Sequence, residues 1–129
     1  MLKTVRNIRK LYNAKLLFVT NDQSIIDTIQ NEFDDYFKEL KVAGTLDEAI
    51  SLACSNSYDM AIIDADVKEL SFSELCTELS QLAPTLPKIV ISDSDNNESI
   101  VTAINSGAYT FLSKPLRAKD VKLAVIMCL

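Results

Sequence analysis

The stretch YDMAIIDADV, Tyr58–Val67, decides the fold. Its centre, Met60–Ile63, is an unbroken apolar run with an acid before it and Asp64 directly after it. Such a run reads as a strand buried on both faces, which requires helices above and below the sheet. The same pattern recurs along the chain. Leu16–Val19 is followed by TNDQS, Thr20–Ser24, and Ile89–Ile91 is followed by Ser92 and Asp93. Leu40–Ala43, ended by Gly44, and Thr110–Leu112 complete a predicted set of five short strands.

Helical spacing fills the intervals. Ile25, Ile26, Ile29 and Phe33 fall on one helical face. Thr45–Leu46–Asp47–Glu48 has capping-box spacing, with Ala49, Ile50 and Ala53 as the apolar face behind it. Ser71–Phe72–Ser73–Glu74 repeats that spacing before Leu75, Cys76 and Leu79. Asp95, three before Glu98, marks another start, with Ile100, Val101 and Ile104 inward and Gly107 as the cap. Lys119–Leu129 reads as the last helix. Strands alternating with helices predict an α/β fold with a five-stranded parallel sheet and helices on both faces. In such sheets ligands bind beyond the carboxyl ends of the strands. Function is therefore expected at Thr20–Asp22, Asp64–Asp66, Ser92–Ser94 and Ser113–Pro115.

Composition narrows the chemistry. The chain of 129 residues is sized for one domain, and 48% apolar residues can build its core. Thirteen basic against eighteen acidic side chains argue against a nucleic-acid binder or an anionic-membrane binder. There is no histidine, so no histidine base, metal ligand or phosphohistidine lies within the chain. Three separated cysteines fit reduced thiols of a cytoplasmic protein, and they are expected in the core. Two glycines, Gly44 and Gly107, leave no glycine-rich phosphate loop. No apolar run is long enough to span a membrane. Residues 1–15 carry Lys3, Arg6, Arg9, Lys10 and Lys15 and no acid, with an apolar stripe at Leu2, Val5, Ile8 and Leu11 or Tyr12. Residues 1–14 are therefore read as a basic helical leader and 15–129 as the main domain. The apolar helical run that ends at Leu129 gives the expectation of a domain from a longer protein, with a stand-alone domain as the alternative.

Four fragments at the strand ends, LLFVTND (Leu16–Asp22), YDMAIIDADV (Tyr58–Val67), LPKIVISD (Leu86–Asp93) and GAYTFLSKP (Gly107–Pro115), carry a resemblance. In this order and spacing the sequence resembles the CheY-like receiver domain of two-component response regulators. The resemblance covers about Lys15 to the C-terminus. It implies a flavodoxin-like doubly wound sheet of order 2-1-3-4-5. It implies Asp64 as the acceptor of a phosphoryl group from a phosphohistidine on a kinase or phosphotransfer protein. It also implies Ser92 as the hydroxyl that bonds the phosphoryl oxygen and Lys114 as its paired cation. Phe111 matches the aromatic switch, and Lys114–Pro115 matches a peptide that is usually cis. The family further implies Mg2+, here held by Asp64, Asn21, Asp22 and Asp66 (by its backbone carbonyl or its side chain), and an output face around Ile100–Phe111 and Lys119–Leu129 that contacts an effector or forms a homodimer.

The sequence departs from the family where the metal should bind. Two adjacent acids normally follow the first strand, but Thr20 and Asn21 stand there, both neutral. Asp66 and Asp93 add negative charge nearby, and Asp93 replaces a residue that is usually small. Lys68 and Phe72 stand where the loop usually has proline and glycine. The leading expectation is an atypical phosphorelay receiver with a weakened Mg2+ site and no enzymatic role beyond its own modification. The alternative is a pseudo-receiver, an interaction module that works without phosphorylation. A flavin-binding carrier is disfavoured, because TNDQS has no glycine and contains an acid. Asp22 also suits a plain helix cap.

Overall fold

The computed structural model describes residues 13–33, 37–67, 72–93, 105, 110–114 and 117–128. Five strands form one sheet: β1 (Lys15–Val19), β2 (Glu39–Ala43), β3 (Met60–Asp64), β4 (Lys88–Asp93) and β5 (Thr110–Lys114). Every pairing is parallel, and the order is β2-β1-β3-β4-β5. The described helices are α1 (Gln23–Phe33), α2 (Leu46–Ser55), α3 (Phe72–Leu82) and α4 (Ala118–Cys128).

Alternate residues of the central strands feed two cores, because strand side chains point to opposite faces in turn. Leu16, Phe18, Met60, Ile62, Ile89 and Ile91 pack with Ile29 of α1 and Val121, Ala124 and Val125 of α4. Leu17, Val19, Ala61 and Ile63 pack with Ala49 of α2 and Leu75, Cys76 and Leu79 of α3. Helices therefore cover both faces, and the apolar run of β3 is buried throughout.

Local chemistry fixes the helix starts. The Thr45 hydroxyl accepts the Glu48 amide at 3.1 Å, as the capping-box spacing predicts. The reciprocal bond differs: the Glu48 carboxylate accepts the Gly44 amide, one residue before the cap. Cys54 is exposed, which corrects the expectation of a core residue: it lies on the solvent side of α2, whereas Cys76 is buried. The basic leader to residue 12, Ser71, the helix start at Asp95, Gly107 and Pro115 lie outside the described residues.

Candidate functional site

The parallel register lines up the carboxyl ends of the central strands. Val19 pairs with Ile63, Asp64 with Ile91, Ser92 with Ser113 and Asp93 with Lys114. Thr20, Asp64, Ser92 and Lys114 are thereby gathered at one end of the sheet, and the first three are buried there.

Asp64 is 1% exposed, so its charge depends on close partners. The Lys114 ammonium lies 2.9 Å from its Oδ1. The Asp66 amide donates to the same oxygen at 3.0 Å. The buried Thr20 hydroxyl donates to Oδ2 at 2.9 Å. That hydroxyl in turn accepts the Asp22 amide at 3.2 Å. Thr20 thus links the end of β1 to the nucleophile candidate through one oxygen.

A second carboxylate shares the cation. Asp66 Oδ2 is 3.0 Å from Lys114 Nζ and accepts the Asp93 amide at 2.9 Å. Its Oδ1 accepts the Ser92 hydroxyl at 2.7 Å. Ser92 is fully buried, so that bond is its means of satisfying a desolvated hydroxyl. Burial pushes the Asp66 carboxyl up, but the Ser92 hydroxyl, the Lys114 ammonium and the Asp93 amide outweigh it and hold the group below its ordinary value. Burial likewise pulls Lys114 down, and the bonds and charges of Asp64 and Asp66 outweigh it and raise the group.

These shifts predict two limbs of pH dependence. A carboxyl held low in the folded chain adds stability that is complete above its ordinary value of 3.8 and is lost as pH falls through the folded value. An ammonium held high adds stability that is complete below 10.5 and is lost as pH rises through the folded value. Thermal melts should therefore lose Asp66's contribution below pH 3.8 and Lys114's above pH 10.5. The acid limb should be shallower in Asp66→Asn. Identical acid limbs in both proteins would mean that Asp66 does not contribute to the acid stability of the domain.

A family model described as the response regulator receiver domain matches residues 3–126. The chain belongs to this family. Receiver domains are signalling domains, served in general by histidine kinases and acting on effector domains. The alkaline phosphatase synthesis transcriptional regulatory protein PhoP of Bacillus subtilis is 24% identical over 113 residues, covering 88% of this chain and 47% of that protein. The receiver domain of NtrX from Brucella abortus superposes with a TM-score of 0.81 at 26% identity, covering 89% of this chain and 98% of that one. A CheY-like receiver domain protein from Methanospirillum hungatei, at 23% identity and a TM-score of 0.77, covers 90% of this chain and 96% of that one and shares the fold. The chain spans between 29% and 49% of the length of three such curated relatives.

Receiver domains in general bind Mg2+ at an acidic pocket. The donors in this pocket do not suit a tightly held ion. Magnesium asks for hard oxygens, carboxylates above all. Thr20 supplies a hydroxyl whose hydrogen already points to Asp64. Asn21 is exposed at the rim, its Cβ 3.7 Å from where a side chain on Gly44 would begin. The Asp22 carboxylate is turned to α1, where Oδ1 accepts the Ser24 amide at 3.0 Å. Its carbonyl accepts the Ile26 amide, so Asp22 caps that helix. The Asp66 carboxylate is spent on Ser92, Asp93 and Lys114, which leaves its backbone carbonyl as the oxygen it can offer a metal. Among the described residues no group of three acidic or thiol side chains is placed to hold a metal.

Of the residues singled out from sequence, Asp64, Asp66, Ser92 and Lys114 meet in one network. Phe111 is half-buried in β5, one strand position before Leu112 of the core edge. Two contacts lie beyond what the sequence predicts. The Thr20 hydroxyl bond to Asp64 has a sequence signal, a hydroxyl residue ending the strand beside the one that Asp64 ends. The grip of Asp66 on Ser92 has a weaker one, the Asp-Ala-Asp spacing. No helix among the described residues is long and apolar enough to cross a membrane.

Proposed function

We propose that this domain is an atypical phosphorelay receiver that takes a phosphoryl group on Asp64. The observation that supports it is the buried Asp64 carboxylate held 2.9 Å from the Lys114 ammonium, with Ser92 bonded into the same network. Phosphoryl transfer asks mainly for positioning and for neutralisation of the oxygens. One Asp64 oxygen forms the new P–O bond as the donor's P–N bond breaks, and the electron pair leaves on the imidazole nitrogen, which takes up a proton. Lys114 is the fixed cation beside the incoming group.

Signalling then passes through the face of β5 and α4. A groove of about 430 Å³ there is lined by Thr110, Leu112, Asp120, Leu123, Ala124 and Met127. Leu123 and Met127 are 57% and 64% exposed, an apolar edge suited to an effector or a second copy. A phosphorylation-independent interaction module is the second reading. It is favoured by the Thr20 hydroxyl on Asp64, which satisfies the carboxylate without a metal. Intact mass after incubation with acetyl phosphate and Mg2+ separates the two. We expect a slow gain of one phosphoryl group that is absent in Asp64→Asn. A folded protein that never gains mass at any Mg2+ concentration decides for the second reading.

A further inference from the structure

Three hydrogen-bond donors converge beside Asp64 from two different strands. They are the Ser92 hydroxyl and the Asp93 amide at the end of β4, and the Lys114 ammonium at the end of β5. A cation, a hydroxyl and a backbone amide aimed at one point form a site for anionic oxygens. That point is already taken. Asp66 places Oδ1 2.7 Å from Ser92 Oγ, and Oδ2 2.9 Å from the Asp93 nitrogen and 3.0 Å from Lys114 Nζ. Lys114 is at the same time 2.9 Å from Asp64. A phosphoryl group bonded to Asp64 has to put its oxygens within reach of that same ammonium.

We infer that the Asp66 carboxylate is a built-in occupant of the oxyanion position of this pocket and competes with a phosphoryl group for Ser92, the Asp93 amide and Lys114. The inference deepens the phosphoacceptor reading, although the competition for anions holds whether or not Asp64 is modified. Its consequences follow from charge and from hydrogen-bond counting. An incoming phosphoryl group meets a carboxylate where it needs donors, so modification of Asp64 requires Asp66 to leave first. The unmodified domain also already holds Ser92 by an anionic oxygen. A modified aspartate therefore has less left to gain from that hydroxyl, and the unmodified form carries part of the arrangement that modification would impose. The Asp66 side chain is 21% exposed and has solvent beside it to move into, whereas that of Asp64 is 2% exposed.

The test uses Asp66→Ala, which empties the position, and Asp66→Asn, which keeps the shape and removes the charge. Inorganic phosphate is titrated against each protein with the Asp93 amide resonance as the reporter, and acetyl phosphate labelling of Asp64 is timed by intact mass. We expect phosphate to bind at the Asp93 amide at least tenfold more tightly in Asp66→Ala than in the parent, with Asp66→Asn between them. Labelling should quicken about tenfold in the same order. Tighter phosphate binding without labelling in any protein would uphold the inference and end the phosphoacceptor reading. Equal phosphate affinity in all three folded proteins would overturn the inference, whatever the labelling rates. Labelling at one rate in all three would overturn the competition at Asp64 while leaving the phosphoacceptor reading intact.

Discussion

Replacing Lys114 by methionine is expected to cost about 2–4 kcal/mol of folding stability at neutral pH. The ammonium lies 2.9 Å from Asp64 and 3.0 Å from Asp66, and it is the shared cation of both. Breaking a buried ion pair by removing one partner typically costs about 3–5 kcal/mol, because a desolvated charge is left behind. Here the Asp64 side chain is 2% exposed, but those of Lys114 and Asp66 are 18% and 21% exposed, so water recovers part of the loss. The Thr20 hydroxyl and the Asp66 amide still hold Asp64, which also softens the penalty. A second substitution tests the cause. Asp66→Asn in the Lys114→Met background removes one of the two crowded carboxylates and should recover about 1 kcal/mol or more, a coupling of the size seen between residues in contact. Urea midpoints at pH 7 measure both. A Lys114→Met protein within about 0.5 kcal/mol of the parent would mean that the pocket is already wet and that the ion pair is of the weak surface kind. The same substitution should slow labelling of Asp64 by about a hundredfold, the usual effect of removing one group that stabilises developing charge.

The fold could be read from the sequence because its strands are of an extreme kind. Met60–Ile63 and Ile89–Ile91 have no polar residue, and a strand with no polar face must be buried twice. That requirement fixes parallel strands, crossover helices and a site at the carboxyl ends. The edge strand β2 is different. Its pattern, ELKVA, mixes charge with apolar residues, and only its partner β1 settles its start at Glu39. The positions of Asp64, Ser92 and Lys114 were also legible, since each directly ends, or closely follows, an apolar run. Which donor meets which acceptor was not legible. The Asp-Ala-Asp spacing does not say which donors Asp66 meets, and in the fold they are the Ser92 hydroxyl, the Asp93 amide and Lys114. The choice follows from Lys114, whose charge attracts both carboxylates, and from the buried Ser92 hydroxyl, which needs an acceptor. Thr20 is a similar case. As a residue type it signals only a missing acid, while burial beside Asp64 makes it a hydrogen-bond donor to that carboxylate.

Restoring acids at the end of β1 should turn a pocket of poor metal donors into a metal-dependent one. Thr20→Asp is expected to have the larger effect. The Thr20 hydroxyl lies 2.9 Å from Asp64 Oδ2, so a carboxylate there stands within about 4 Å of the Asp64 charge. At an effective dielectric of 20 such a pair repels by about 4 kcal/mol, and the buried hydrogen bond is lost as well. Relaxation reduces this, and a net loss of about 2–3 kcal/mol is expected without metal, read as a fall in Tm of several degrees. Magnesium should reverse it. Binding to the folded state alone at 100 times Kd returns about 2.7 kcal/mol. Asn21→Asp differs because Asn21 is exposed, so solvent screens the added charge and the loss without metal should stay below about 1 kcal/mol. Its gain with Mg2+ should still reach about tenfold in Kd, or ~1.4 kcal/mol, since a divalent ion between Asn21→Asp and Asp64 meets two carboxylates instead of one. The parent protein, with its hydroxyl at Thr20 and its cap at Asp22, should show little change of Tm over the same titration. If neither variant binds Mg2+ more tightly while both remain folded, the end of β1 does not face the metal position, and the pocket is built around Lys114 alone.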